Sequence, residues 1–216
     1  MKFLVFLGSV RDSAPPRPRR LGLRVALALG AQLRDGGHDV VLIDPLDIER
    51  PVSFKPHFAF AKGRAPDSLE HLAGEIASAE GYVMVSPEYN HAMSPALADL
   101  LNHFGSSLFS YKPSVIATYS AGQWGGARAA VTMRAFLSEL GCLPVSAMIH
   151  VPKAQEVFDE EGVCLDTADG DGWQTYMGRA LSQLEWWAAA AGHRRSQVGE
   201  PAAAFARDPS QRNAPQ

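Results

Sequence analysis

Five short apolar runs, each separated from the next by a stretch of helical period, constrain this chain more than any other feature. They are Phe3-Leu4-Val5-Phe6-Leu7, Val40 to Ile43, Gly81-Tyr82-Val83-Met84-Val85, Ser114 to Tyr119 and Val145 to Val151. Their apolar character is continuous rather than alternating, as expected of strands covered on both faces. Between and after them, Leu21 to Leu33, Ser68 to Ala79, Ser94 to Phe104, Ala127 to Leu140 and Trp173 to Ala191 read as helices. Stops fall where helices end: Gly36-Gly37, Gly141 and Gly192. Strands alternating with helices imply a parallel sheet joined by right-handed crossovers.

At 216 residues the chain can build one substantial core. The expected fold is therefore a five-stranded, doubly wound α/β/α sandwich with the flavodoxin-like strand order 2-1-3-4-5. Residues 1–195 are expected to form this domain. Residues 196–216, rich in Ala, Pro, Ser, Gln and Asn, are expected to be a disordered tail. Asp12 to Pro18 carries three prolines and must be loop, and Leu46 to Pro66 reads as a long surface connection.

Composition excludes several functions. The net charge of −3 gives no general footprint for nucleic acid. Cys142 and Cys164 form neither a disulfide framework nor a metal pattern, and Cys142 reads as a small core residue. Phe3 to Leu7 is too short for a signal segment, and no run approaches the ~20 apolar residues of a membrane span. A cytoplasmic setting is expected. The local exception in charge is Arg11, Arg17, Arg19, Arg20 and Arg24, a cluster suited to phosphate.

In the 2-1-3-4-5 order, the loops after strands one, three and four meet at the carboxyl edge of the sheet, where such folds bind ligands. Those three loops have unusual composition. Gly8-Ser9-Val10-Arg11 offers a close backbone approach, a hydroxyl and a guanidinium ahead of a helix N-terminus, a set that suits phosphate. It is neither Gly-x-Gly-x-x-Gly nor a P-loop, which disfavours a Rossmann dinucleotide and nucleotide hydrolysis. Pro87-Glu88-Tyr89-Asn90 brings a flat ring and an amide, and is read as loop from Pro87 to Met93 before the Ser94-Pro95 helix start. Ser120 to Gly126 holds Gly122, Gly125 and Gly126, whose backbone amides are open to a ligand. No serine elbow or zinc spacing is present. One phosphate loop and two loops that can clamp a flat ring add up to a flavin mononucleotide (FMN) site.

The chain resembles the NADPH-dependent FMN reductase family, which includes quinone and azo-compound reductases. The resemblance rests on Gly8-Ser9-Val10-Arg11, Ser86-Pro87-Glu88-Tyr89-Asn90, Ser94-Pro95-Ala96-Leu97 and Tyr119 to Arg128, and continues through Phe136 to Gly141. It implies that Ser9 and Arg11 hold the FMN phosphate and that Pro87, Glu88, Tyr89, Asn90, Ser120, Gly122, Gly125 and Gly126 border the ring. Arg20 is favoured over Ser13, Arg17 and Arg19 to complete the phosphate shell, because Arg20-Leu21-Gly22 opens the helix as the family pattern does. Leu97-Ala98-Asp99 departs from the family's Leu-Lys-Asn on a helix that commonly packs between subunits. A homodimer or homotetramer is the implied assembly.

The implied reaction passes hydride from NADPH or NADH through flavin N5 to a quinone, free flavin or similar small acceptor in a ping-pong scheme. It needs no catalytic nucleophile. Amides of Gly122 to Gly126 would offset negative charge on reduced flavin, Asn90 would bond the ring's polar edge, and Tyr89 and His91 would face the substrate. The Glu88 carboxylate is expected to face solvent or a partner subunit, and Trp186-Trp187 to lie in the core or an interface. His103 is expected to be exposed or to cap its helix. The competing readings are an FMN electron carrier without fast turnover, and a flavin-free signalling domain.

Overall fold

The computed structural model describes residues 1–11 and 20–199. Its strands are β1 Lys2–Leu7, β2 Asp39–Ile43, β3 Gly81–Tyr89, β4 Ala92–Met93, β5 Pro113–Tyr119, β6 Leu143–Pro144 and β7 Ile149–Val151. Its α-helices are α1 Leu21–Asp35, α2 Asp67–Ser78, α3 Pro95–Asn102, α4 Ser106–Phe109, α5 Ala127–Glu139, α6 Ala154–Val157 and α7 Gly170–Val198. The parallel sheet runs β2-β1-β3-β5, with β6 and then β7 along the outer side of β5. This is the 2-1-3-4-5 order, since β6 and β7 share the fifth position.

The alternation along β1 explains the layers. Phe3, Val5 and Leu7 face a core built with α1 and α7, whereas Leu4 and Phe6 face one built with α2, α3 and α5. Both sets are fully buried, which is why the run carries no polar residue. Ser94 caps α3 by accepting the Leu97 N–H at 3.1 Å, with Pro95 in the first turn as its sequence requires. Cys142 is buried as a small core residue.

Four sequence expectations change. The fifth strand is split. Pro144 supplies no donor to the ladder, and the break after it is held by side chains. Arg134 donates to the carbonyls of Pro144, Val145 and Ser146, and Gln183 accepts from Ala147 N–H and Ser146 Oγ. The stretch Pro87 to Met93 is not a loop. β3 continues to Tyr89 and folds back on β4, pairing Glu88 with Met93 and Tyr89 with Ala92. Asn90 and His91 occupy the two turn positions at φ 51° and 61°, the geometry of a two-residue type I′ hairpin. The last helix runs through Gly192 to Val198, and Gly199 follows it, so 196–199 lie at its end. Residues 200–216 lie outside the described residues.

The fourth change concerns Trp186 and Trp187: of the core and the interface expected for them, an exposure of 62% and 47% removes the core. Leu181 and Leu184 occupy the buried face of α7 instead. The connection between β2 and α2 is a surface segment with a short 3-10 turn at His57–Ala59. It is pinned to α3 by His57 N–H donating to the His103 carbonyl and by His103 Nδ1 meeting the Lys55 carbonyl. His103 sits at the C-cap of α3, buried under Phe54 rather than exposed, and burial lowers its pKa. Among the described residues no helix is long and apolar enough to cross a membrane.

Candidate functional site

The carboxyl ends of β1, β3 and β5 lie side by side, and the register fixes their relative heights. Leu7 pairs with Val85, and Pro87, two residues further along β3, pairs with Tyr119. β1 therefore stops short of its neighbours and its chain turns inward at Gly8, whose N–H donates to the Val85 carbonyl at 2.7 Å. A Cβ at Gly8 would come to 2.7 Å from that carbonyl oxygen and 3.0 Å from Ser94 Oγ. Only glycine lets the loop pass so low over the sheet.

Ser9 follows, buried, with its Oγ accepting the Arg11 N–H at 3.4 Å. Arg11 itself is exposed. Arg20 is buried at the N-cap position of α1 and grips Asp44 at the end of β2 with both guanidinium nitrogens, at 2.5 and 3.1 Å. The expected phosphate arginine is thus anchored by a bidentate ion pair beside the phosphate loop. Among the described residues α1 has no side-chain cap and no acidic residue in its first turn, which leaves the positive end of the helix suited to an anion. Ser13, Arg17 and Arg19 lie outside the described residues.

Tyr119 closes the floor between the loops. It is 6% exposed, and its hydroxyl interacts with the Ser9 side chain and lies against Gly22 of α1. Burial pushes its pKa up to about 12, against smaller lowering effects from the Ser9 hydrogen bond and from the Arg11 and Arg20 charges. The sequence marks Tyr119 only as the end of a strand. No spacing signals its contact with Ser9, because the two are brought together by tertiary structure.

On the third loop, Ser120 Oγ accepts the Gly125 N–H at 2.9 Å and donates to the Gly122 carbonyl at 2.7 Å. This folds the loop on itself, so the Gly125 amide is used internally. Among the described residues no acceptor meets the N–H of Ala121, Gly122, Gln123 or Trp124, and all four residues are exposed. A Cβ at Gly122 would meet nothing within 4 Å. Gly125 and Gly126 are different: they are buried in the left-handed region, at φ 58° and 73°, and are required by the turn itself.

The Glu88 carboxylate does not face solvent, one of the two places expected for it. It turns onto the N-terminus of α5, accepting from the N–H groups of Arg128 and Ala129 at 3.2 and 3.3 Å and from Arg128 Nε at 2.8 Å. Gly126, at the N-cap position, has no side chain to do this, so a residue from the neighbouring strand supplies the cap. Partial burial pushes the Glu88 pKa up, but the bonds from Ala129 and Arg128 outweigh it and the net shift is downward. A carboxylate with a depressed pKa stabilises the fold above its unfolded value and loses that contribution as pH falls through the folded one. Glu88→Gln is therefore expected to cost about 0.5–1 kcal/mol near pH 7. That gap should narrow as urea unfolding is repeated at pH values falling below the ordinary carboxylate range. A gap independent of pH would mean the charge contributes nothing.

The outer rim is aromatic. Tyr89 is 53% and Trp124 64% exposed, and the Arg128 guanidinium lies 5.8 Å from the Trp124 ring centre. Asn90 and His91 stand exposed at the hairpin tip. The structure thus groups Ser9, Arg11 and Arg20 with Tyr119, and places Pro87 to His91 and Ser120 to Gly126 along the same edge. A separate cleft of about 750 Å³ lies at the opposite edge, lined by Tyr111, Cys142, Leu143 and Trp187 among others. Two of its serines are bound locally, Ser110 to the Ser106 carbonyl and Ser146 to Gln183, and no charged side chain lines it.

The family model described as NADPH-dependent FMN reductase matches residues 1–156. This chain is a member of that family. An NAD(P)H-dependent FMN reductase of Pseudomonas aeruginosa is 29% identical over 126 residues, which cover 56% of this chain and 66% of the relative. A quinone reductase of Escherichia coli is 37% identical over 75 residues, 33% of this chain and 40% of the relative. In each case the chain spans less than two thirds of the relative's length. Among solved structures, the flavoenzyme NAD(P)H:(acceptor) oxidoreductase FerB from Paracoccus denitrificans superposes with a TM-score of 0.63 at 18% identity, covering 86% of this chain and 96% of FerB. An archaeal flavodoxin gives a TM-score of 0.50 at 13% identity over 86% of this chain and 99% of its own. These likenesses establish the flavodoxin-like fold. FMN and NADPH are the groups that the family description names.

Proposed function

We propose that this reductase-family member is an FMN-dependent NAD(P)H oxidoreductase that reduces small acceptors, quinones or free flavin among them, by a ping-pong scheme. The observation that carries the reading is the composition of one sheet edge. A buried hydroxyl and two arginines sit at one end, and exposed aromatic rings with unpaired backbone amides sit at the other. The donor set fits FMN: Ser9, Arg11 and the uncapped α1 terminus suit a phosphate, with Arg20 alongside, anchored on Asp44. The edge from Pro87 to Asn90 and from Ser120 to Gly126 suits a flat ring.

When bound, FMN supplies the redox chemistry, taking hydride at N5 from NADPH or NADH and yielding it to the acceptor. The protein's part is binding, orientation and electrostatics. The amides of Ala121 to Trp124 offer fixed dipoles to negative charge at the ring edge. Glu88 locks the second loop to α5, which keeps both ring-bordering segments at a fixed separation. Tyr89, His91 and Trp124 form the exposed side, where a second ring would stack. The same reading includes a homodimer or homotetramer in a cytoplasmic setting. For the assembly, the support is the exposure of Trp186 and Trp187 on α7.

Purified protein is expected to retain FMN and to oxidise NADPH only when a quinone or free flavin is added. Parallel initial-rate lines at varied acceptor would match the ping-pong scheme. Protein that binds FMN yet turns over no faster than free flavin would be an electron carrier instead. Protein that cannot be reconstituted with FMN would end the assignment.

A further inference from the structure

We infer that the Tyr119 hydroxyl is a member of the cofactor's phosphate cradle, donating beside Ser9 to the FMN phosphate. The inference rests on the FMN reading above and adds a residue to it that no motif of the chain assigns.

The geometry is unusual for a core tyrosine. Tyr119 ends β5, yet its hydroxyl interacts with Ser9, which belongs to the loop after β1, with β3 lying between. The reach is possible because β1 stops at the level of Val85 while β5 pairs on to Pro87. The side chain lies on the α1 side of the sheet. At its far end the hydroxyl rests against α1 at Gly22, where any Cβ would collide with it. Gly22 is the second residue of α1, and since a Cβ there would lie 2.4 Å from the Tyr119 hydroxyl, glycine at this position has a packing reason. Tyr119 is therefore directed at the uncapped first turn of α1, next to Ser9 and within the field of Arg11 and Arg20.

The Tyr119 hydroxyl lies beside Ser9, and a hydroxyl in that place has an O–H to give to a ligand acceptor. A phosphate seated on Ser9 and the α1 terminus would receive that donor. With its pKa pushed up to about 12, the phenol stays protonated, and so remains a donor, across the working range of pH. A tyrosine here also provides a rigid donor. It loses little side-chain freedom on binding, unlike Arg11 on its exposed stem.

The test measures the affinity of the apoprotein for FMN and for riboflavin, which lacks the phosphate, by quenching of flavin fluorescence. Tyr119→Phe is expected to weaken FMN about tenfold and to leave riboflavin unchanged. Gly22→Ala, whose Cβ displaces the hydroxyl, should give the same FMN-selective loss, and it decides the matter if the phenylalanine variant does not fold. Equal weakening of both flavins, or no change in either, would overturn the inference while wild-type preference for FMN left the reading of the site intact. A wild-type protein with no preference for FMN over riboflavin would overturn both.

Discussion

Gly126→Val is expected to cost about 3 kcal/mol or more and to lower the melting temperature by roughly 10 °C. Two effects add. Gly126 sits at φ 73°, ψ 21°, a left-handed conformation that a β-branched residue resists. A Cβ there would lie 2.9 Å from the Thr118 Cβ and 3.3 Å from the Tyr119 carbonyl oxygen. Neither neighbour can yield. Thr118 is fully buried between paired strands, and its Oγ1 is held at 2.8 Å from His150 Nδ1. The substitution must therefore move the start of α5 and, with it, the Glu88 cap. Thermal unfolding followed by circular dichroism measures the effect. A melting temperature within 2 °C of wild type would mean that this turn is not the conformational constraint described here.

Gly122→Val, four residues earlier, is expected to do the reverse. A Cβ at Gly122 meets nothing, and the residue is exposed, so the fold should melt as wild type does. The added side chain would instead occupy the space against the third loop that the ring needs. FMN and riboflavin should weaken together, by about ten- to a hundredfold, because the clash is with the ring they share. This pattern differs from that of a phosphate-site variant, which separates the two flavins. Unaltered flavin affinity in folded Gly122→Val protein would remove the third loop from the ring site.

The contrast between these two glycines locates what a sequence can and cannot convey. Both stand in one Gly-rich loop and look alike there. One is open to solvent and the other is wedged against Thr118, and only the tertiary structure separates them. Glu88 behaves similarly. Its neighbours Pro87, Tyr89 and Asn90 identify a strand end with a ring-binding composition. Nothing local shows that the carboxylate caps a helix beginning some forty residues later. Arg20 was legible as a cation near the phosphate loop, but its bidentate hold on Asp44 required β2 to be placed beside β1.

Periodicity and turn chemistry act between near neighbours, so the chain alone specified the first four strands of its parallel sheet, most of its helices, their parallel order and the edge at which its loops gather. It also specified the Ser94-Pro95 start of α3, since a cap and a first-turn proline need no distant partner. Tertiary structure alone decided which atoms meet at that edge: Tyr119 with Ser9, Glu88 with the α5 terminus, and β3 with β4 across the Asn90-His91 turn. The reason is physical. These contacts join residues far apart in sequence, and their formation depends on the height at which each strand ends in the sheet, a quantity that no local pattern of residues encodes.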